Sequence, residues 1–226
     1  MIIQLDLAKA YEKISWNYII KTLEAFGFSQ HWINWIISLV SMTSFSLLIN
    51  GAPTKHFWPT RGIRQGDSLA PFLFILVMEG LSRSIKSTTT TREIRGLKPF
   101  ENCPTSTHQQ FVDDTLLHGI PTIKEAKTFK RILEEFGEAS GAEINHSKSM
   151  IYFFNTNPAI QRNLANILGF ERKYLPTKYL GIPLMERSYK MVTWEGVLNK
   201  LQERVKKWTY KSLNLAGRLV LTKVVW

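Results

Sequence analysis

The sequence predicts an α+β fold in which a small antiparallel sheet is backed by helices and followed by a basic helical tail. Three observations carry this expectation. Short β-branched runs alternate with longer segments of helical period, in the order β-α-α-β-β-α-β-β-α-β. Two pairs of short runs are joined by turn-forming residues, Asn50-Gly51 in one and Asp113-Asp114 in the other. The charge is uneven: residues 171–226 hold twelve Lys/Arg against four Glu, a net of +8 out of the chain's +11.

MIIQLDLA reads as a short buried strand ending at Asp6. SWNYIIKTLEAFGF follows, with Ser15 as N-cap, helical spacing through Ile19, Ile20, Leu23 and Phe26, and Gly27 as the stop. SQHWINWIISLVSM repeats the arrangement behind Ser29, and its stripe of Trp32, Trp35, Ile36 and Leu39 is expected in the core. TSFSLLINGAPTKHFWPT is expected to be a hairpin, and RGIRQGD a basic loop punctuated by glycine. SLAPFLFILVMEGLSRSI reads as a buried helix with Pro71 in its first turns. KSTTTTREIRG, polar and β-branched, reads as a flexible connector. THQQFVDDTLLHG reads as strand, tight turn and strand, with both Asp at the bend. An amphipathic helix runs from the Thr122 cap to Gly141, then KSMIYFF reads as a strand and NPAIQRNLANILGF as a short helix. KYLGIPL reads as a strand with a turn, and from Val192 onward the chain is basic and helical.

Composition narrows the possibilities. The 226 residues suit one large domain or one and a half, and a 44% hydrophobic content is enough for a core. No apolar run reaches the length needed to span a bilayer, and the N-terminus carries an acid where a signal peptide would be basic, so no membrane partner is expected and residence is expected to be intracellular. A single cysteine, Cys103, excludes an internal disulfide and a cysteine-based zinc site. The basic tail fits either a polyanionic partner, most simply nucleic acid, or a solvated lysine-rich helix face.

The chemistry-bearing residues are acidic. Asp6 ends one strand and Asp113-Asp114 sit at the bend of another. If those strands are neighbours, three carboxylates converge at one sheet edge, and such a cluster calls for a cation. Oxygen-only ligands favour hard Mg²⁺ or Mn²⁺ over zinc. Two such ions support in-line phosphoryl transfer, one activating the attacking oxygen and one steadying the leaving group. An Asp-Asp pair is also common in plain turns, where its side chains bond nearby N–H groups.

The motifs taken in order resemble the reverse transcriptases of non-long-terminal-repeat, LINE-type retrotransposons, especially the plant kind. LDLAKAYEKISW is similar to the first palm motif, D-x-x-K-A-[YF]-D-x-[IV]-x-W. RGIRQGDSLAPFLF, FVDDTLL, FGEASGAEINHSKSMIYF and KYLGIPL resemble the four that follow, and WTYKSLNLAGRLVLTKVV resembles the start of the thumb. The resemblance implies an RNA-directed DNA polymerase with its palm at residues 1–185 and a truncated start of thumb at 186–226. It implies two divalent ions, Mg²⁺ or Mn²⁺, held by Asp6, Asp113 and Asp114. It implies an RNA template, a DNA primer, an RNA–DNA duplex and dNTPs as partners, and a nuclear location. Tyr11 would lie under the incoming sugar and exclude a 2′-hydroxyl, and Arg64, Gln65 and Gly66 would meet the nucleotide and template. Lys148 would protonate the departing pyrophosphate, and Leu180 and Gly181 would form the primer grip.

The chain starts at the first palm motif, whereas the family's fingers, whose basic residues hold the triphosphate, lie upstream. By itself it is therefore expected not to extend a primer, and the alternative function is that of an inactive remnant which at most binds nucleic acid. Several positions depart from the motifs: Glu12, Ser68, Ala70, Gln109, Gln110, Val112 and His118. One of the two glutamines must face the core, because neighbours in a strand alternate faces. Val112 adds two methyl groups where the family has Ala, and overpacking costs about 1–3 kcal/mol.

The excess charge beyond residue 170 predicts salt-sensitive, sequence-indifferent binding to duplexes. Titration at increasing salt should weaken it steeply, and removal of residues 186–226 should abolish most of it; unchanged affinity in the shortened chain would contradict the assignment.

Overall fold

A computed structural model describes residues 1–98, 103–184 and 194–209, together with Ala216 and Leu219. The chain divides into two units, Met1–Lys173 and Tyr174–Trp226.

In the first unit, β1 (Ile2–Leu5) and β2 (Leu7–Ala8) flank Asp6. Helix α1 (Trp16–Ala25) follows Ser15 and buries Ile19 and Leu23. Helix α2 (Gln30–Ser41) is capped by the Ser29 hydroxyl, which accepts from the Trp32 N–H. Strands β3 (Leu48–Ile49) and β4 (Ala52–Pro53) form the expected hairpin, with Asn50 at φ 49° and Gly51 at φ 82°, the two positive values a type I′ turn requires. Helix α3 (Ala70–Thr90), with proline in its first turn, buries Leu73, Phe74, Val77, Met78, Leu81 and Ile85. Strands β5 (His108–Phe111) and β6 (Asp114–His118) follow, then α4 (Ile123–Ser140), which Thr122 caps and Gly141 ends at φ 77°. Strands β7 (Glu143–Ile144) and β8 (Met150–Tyr152), helix α5 (Pro158–Leu168) and strand β9 (Glu171–Arg172) complete the unit.

The main sheet has the order β5-β6-β1-β8-β9, antiparallel except for the parallel edge pair β8–β9, and β2 pairs separately with β7. Register and the two-residue period sort its side chains. His108, Gln110, Thr115, Leu117, Ile3, Leu5 and Ile151 share one face, since they stand opposite one another across the ladders. Ile3, Leu5, Leu117 and Ile151 join Phe74 and Phe129 of the helices in one buried cluster. A fully buried Phe or Ile there stabilises by about 1.5–3 kcal/mol. The opposite face carries Ile2, Gln4, Asp114, Leu116, His118 and Tyr152.

Two expectations need correction. The stripe on α2 is core only at Ile36: Trp32, Trp35 and Leu39 are exposed, and Ile33, outside the stripe, is buried. The apolar residues of this helix cover rather more than half the circumference, with Gln30, His31, Asn34, Ser38 and Ser41 opposite, so either edge of that broad face could be buried, and packing against α1 selects the edge of Ile33 and Ile36. The connector KSTTTTREIRG is helical through Thr90. Its hydroxyls bond back along α3, Thr88 and Thr89 to the Ile85 carbonyl and Thr90 to that of Lys86, and Thr88 is buried. The bonds satisfy the hydroxyls without stabilising the helix, and it is the buried face that outweighs the low helix propensity of threonine.

The core-facing glutamine is Gln110; Gln109 is exposed. Gln110 stands opposite Thr115, and both Gln110 Nε2 and Thr115 Oγ1 are buried without a hydrogen-bond partner. Each such group costs about 1–3 kcal/mol.

In the second unit β10 (Thr177–Tyr179) and β11 (Ile182–Leu184) form a hairpin through Leu180 and Gly181, followed by α6 (Glu195–Thr209). The expected palm–thumb boundary at 185/186 and most of the thumb motif lie outside the described residues. Among the described residues no helix is long and apolar enough to cross a membrane.

His118 is 7% exposed, and its Nδ1 lies 2.9 Å from Ser106 Oγ. Burial, then the nearby His108, pushes its pKa down from 6.5 to about 4. On acidification the unfolded chain takes up the proton first. Stability is therefore fully present above about pH 6.5 and is lost as pH falls toward 4, by at most roughly 3 kcal/mol at 1.36 kcal/mol per pKa unit. Thermal unfolding should show this fall, and His118→Phe should flatten it; an equally steep fall in the variant would contradict the attribution.

Candidate functional site

The site grows from one ladder. Leu5 pairs with Thr115, so Asp6, one residue beyond Leu5, comes beside Asp114, one residue before Thr115. Period two puts both on the sheet face away from the helices. Phe111 pairs with Asp114 across the β5–β6 turn, which leaves Val112 and Asp113 as the turn itself. The sequence therefore places three carboxylates together, two at a hairpin tip and one on the neighbouring strand.

The Asp6 peptide is held from both sides by a single loop. Its N–H donates to Ser149 Oγ at 3.1 Å, and its carbonyl accepts from the Asn145 N–H at 2.8 Å. The loop is closed by the Ser149 N–H on the Asn145 carbonyl, 2.8 Å, and Ser149 is fully buried. Lys148 rides on the same loop with its side chain exposed, so the backbone that positions Asp6 also positions Lys148. Asn145 and Ser149 had no role from sequence, although both stand in the quoted motif; their adjacency to Lys148 was the signal available.

Tyr11 lies half-buried against Phe74, with ring centroids 4.6 Å apart and planes at 15°. Desolvation, then the charge of Asp113, raises its phenol pKa, which places the ring in the field of the cluster. The loop from Arg61 to Gln65 is fastened to this segment: Ile63 N–H donates to the Tyr11 carbonyl at 2.8 Å, Gly62 N–H to that of Ile14 at 2.7 Å, and Trp16 Nε1 to that of Gly62 at 2.7 Å. The two glycines differ. A Cβ on Gly62 would come within 2.4 Å of the Glu12 carbonyl oxygen, so the room it leaves is filled by the chain itself. Gly66, at φ 87°, faces open space, and Arg64, Gln65 and Gly66 are exposed. Leu180 and Gly181, at φ 50° and 81°, form the turn of the hairpin in the second unit.

The carboxylates share a field more than a coordination sphere. Desolvation, then the charges of Asp113 and Asp6, pushes the Asp114 carboxyl above its ordinary range. Among the described residues, however, no three His, Cys, Asp or Glu side chains are gathered closely enough to hold a metal ion. The three acids are neighbours in register and in charge, and Asp113 and Asp114 are exposed. The donor set still fits a hard divalent ion: it is all oxygen, strongly negative, and fixed by backbone on the Asp6 side.

Comparison with known proteins adds the following. The family model described as reverse transcriptase (RNA-dependent DNA polymerase) matches residues 1–184. Over 112 residues the chain is 35% identical to an uncharacterized mitochondrial protein of Arabidopsis thaliana, covering 49% of this chain and 90% of that one. Over 86 residues it is 36% identical to the retrovirus-related Pol polyprotein from the type-2 retrotransposable element R2DM of Drosophila melanogaster, covering 38% of this chain but 8% of the polyprotein. A 236-residue match at 26% identity, to the transposon TX1 uncharacterized 149 kDa protein of Xenopus laevis, covers 99% of this chain and 17% of that protein. Among solved structures, telomerase from Candida albicans superposes with a TM-score of 0.58 at 14% identity, over 82% of this chain and 29% of that one, a likeness of fold.

The turn carries strain. Val112 sits at φ 54°, a region that branched side chains rarely enter. At an ordinary φ, Ala is more stable than Gly by about 0.5–1 kcal/mol. Here the order should invert, Val112→Gly exceeding Val112→Ala by about 1 kcal/mol in denaturant unfolding. Alanine proving the more stable would mean that the turn is not left-handed in solution.

Proposed function

This chain belongs to the reverse transcriptase (RNA-dependent DNA polymerase) family, and we propose that it is the palm and start of thumb of a LINE-type retrotransposon polymerase that extends a primer on an RNA template. The observation that carries the reading is the β1–β6 register, which sets Asp6 beside Asp114 with Asp113 in the adjoining turn. Residues 1–185 are assigned to the palm and 186–226 to the thumb.

Divalent ions, Mg²⁺ or Mn²⁺ and two in number, would supply charge neutralisation for the 3′-oxygen and the leaving pyrophosphate. Asp6, Asp113 and Asp114 would hold them, Asp6 being the most rigid because both ends of its peptide are bonded to the loop at 145–149. Tyr11, braced by Phe74, would floor the sugar site and exclude a 2′-hydroxyl by bulk. Gln65 and Gly66 would meet the nucleotide, with Arg64 on phosphate. Lys148 would give a proton to pyrophosphate as it leaves. Leu180 and Gly181 would steady the primer end by close backbone approach, and the basic residues of α6 would follow the duplex phosphates. Nuclear residence is part of the same proposal, since integration takes place on chromosomal DNA.

A second reading, an inactive relic that retains only nucleic-acid binding, is favoured by the left-handed Val112 and the partnerless Gln110 Nε2 on the catalytic hairpin. Primer extension separates the two, measured for the chain as it stands and for the chain preceded by a family fingers region. Polymerase function requires Mn²⁺- or Mg²⁺-dependent dNTP incorporation on a primed RNA in at least one of these. Asp113→Ala should reduce it by more than the roughly 10–100-fold that loss of an outer-shell partner costs. Failure of both, with duplex binding intact, would leave the relic.

A further inference from the structure

Asp6 stands where two ladders of one strand pair fall out of step. Gln4 pairs with Met150 on one side of it, and Leu7 with Ile144 on the other. Leu5 and Asp6 therefore face the whole of residues 145–149, and the surplus chain bulges from the sheet as the loop that bears Lys148. The loop is braced within itself. The Asn145 carbonyl accepts from the Lys148 N–H at 3.2 Å and the Ser149 N–H at 2.8 Å, and Ser147 Oγ donates to Asn145 Oδ1 at 2.7 Å. Two bonds join the loop to Asp6. The Asn145 N–H donates to the Asp6 carbonyl at 2.8 Å, main chain to main chain. The Asp6 N–H donates to Ser149 Oγ at 3.1 Å, so this bond depends on a single side-chain hydroxyl. Ser149 is 0% exposed, where bulk solvent does not reach to replace that hydroxyl.

The hydroxyl holds the peptide from which the Asp6 carboxylate springs. A carboxylate serves a metal ion best when its position is already fixed, because freeing it adds an ordering cost to binding. We propose that Ser149 is a positioning residue: its hydroxyl fixes Asp6 for a divalent ion and, through the loop, ties that ion to the placement of Lys148. Coupling of this kind is reciprocal. If the loop steadies Asp6, an ion on Asp6 steadies the loop. The ion and the role of Lys148 rest on the polymerase reading; the bond from Asp6 to Ser149 stands without it.

The test uses the whole 226-residue chain without nucleic acid or dNTPs, so that no polymerase activity is required. Mn²⁺ binding is followed by loss of the free-ion electron paramagnetic resonance signal. Amide exchange of the 145–149 loop is followed by mass spectrometry with and without Mg²⁺. Ser149→Ala should weaken Mn²⁺ binding about tenfold, the low end of what losing an outer-shell partner costs. It should also abolish the protection that Mg²⁺ gives the loop in the unaltered chain. Ser149→Cys, which keeps the volume but accepts weakly, should shift both readouts the same way. Ser140→Ala controls for the loss of a buried hydroxyl as such. Ser140 is equally buried, but its hydroxyl donates to the Phe136 carbonyl at 2.6 Å and accepts from the Ala142 N–H at 3.1 Å, away from Asp6. That variant should unfold more easily and bind Mn²⁺ as the unaltered chain does. Unchanged Mn²⁺ affinity in both Ser149 variants, or an equal loss in Ser140→Ala, would overturn the proposal and leave the metal site standing. No Mn²⁺ uptake by the unaltered chain, or uptake that survives Asp6→Ala undiminished, would overturn the metal site and the proposal with it.

Discussion

The antiparallel ladder that sets Leu5 against Thr115 brings acids from the first strand and from the middle of the chain onto one sheet face. A slip of one residue would turn Asp6 toward the helices and remove Ile3 and Leu5 from the core. The register is held because the same strands bury Ile3, Leu117 and Ile151 against α3 and α4. Burial on one face thus determines the chemistry on the other.

Around this ladder the site is assembled mainly by main-chain bonds. The loop at 145–149 grips the Asp6 peptide, and the Arg61–Gln65 loop is pinned to Tyr11 and Ile14. Backbone contacts of this kind tolerate changes in neighbouring side chains, which is consistent with Glu12, Ser68 and Ala70 departing from the family motifs without disturbing the architecture. The hairpin at 108–118 is different. Its like charges, left-handed valine and two partnerless buried polar atoms all raise its energy. Strain of this kind persists where the surrounding structure over-determines it, and the helical layer beneath the hairpin provides that constraint.

The legible elements had signals acting over a few residues. Ser29, Thr122 and Gly141 end helices where their chemistry predicts, Asn50-Gly51 turns the hairpin, and the core-facing glutamine follows from period two. The misread elements depended on distant partners. An α2 helix apolar over rather more than half its circumference could bury either edge of that face, and α1 decided for Ile33 and Ile36. The threonines after Lys86 read as a connector, yet the face that buries Ile85 and Thr88 keeps them helical.

By itself the sequence determined the class of fold, the order of its main elements and the family, because caps, turns, periodicity and ordered motifs are all written within short stretches of chain. The tertiary structure alone decided that Asp6 lies beside Asp114, that Asn145 and Ser149 hold the Asp6 peptide, that the room left by Gly62 is filled by the chain itself, and that the tryptophans of α2 face outward. Each of these depends on which surface packs against which. Burial is a relation between segments far apart in sequence, and no short stretch encodes its own partner.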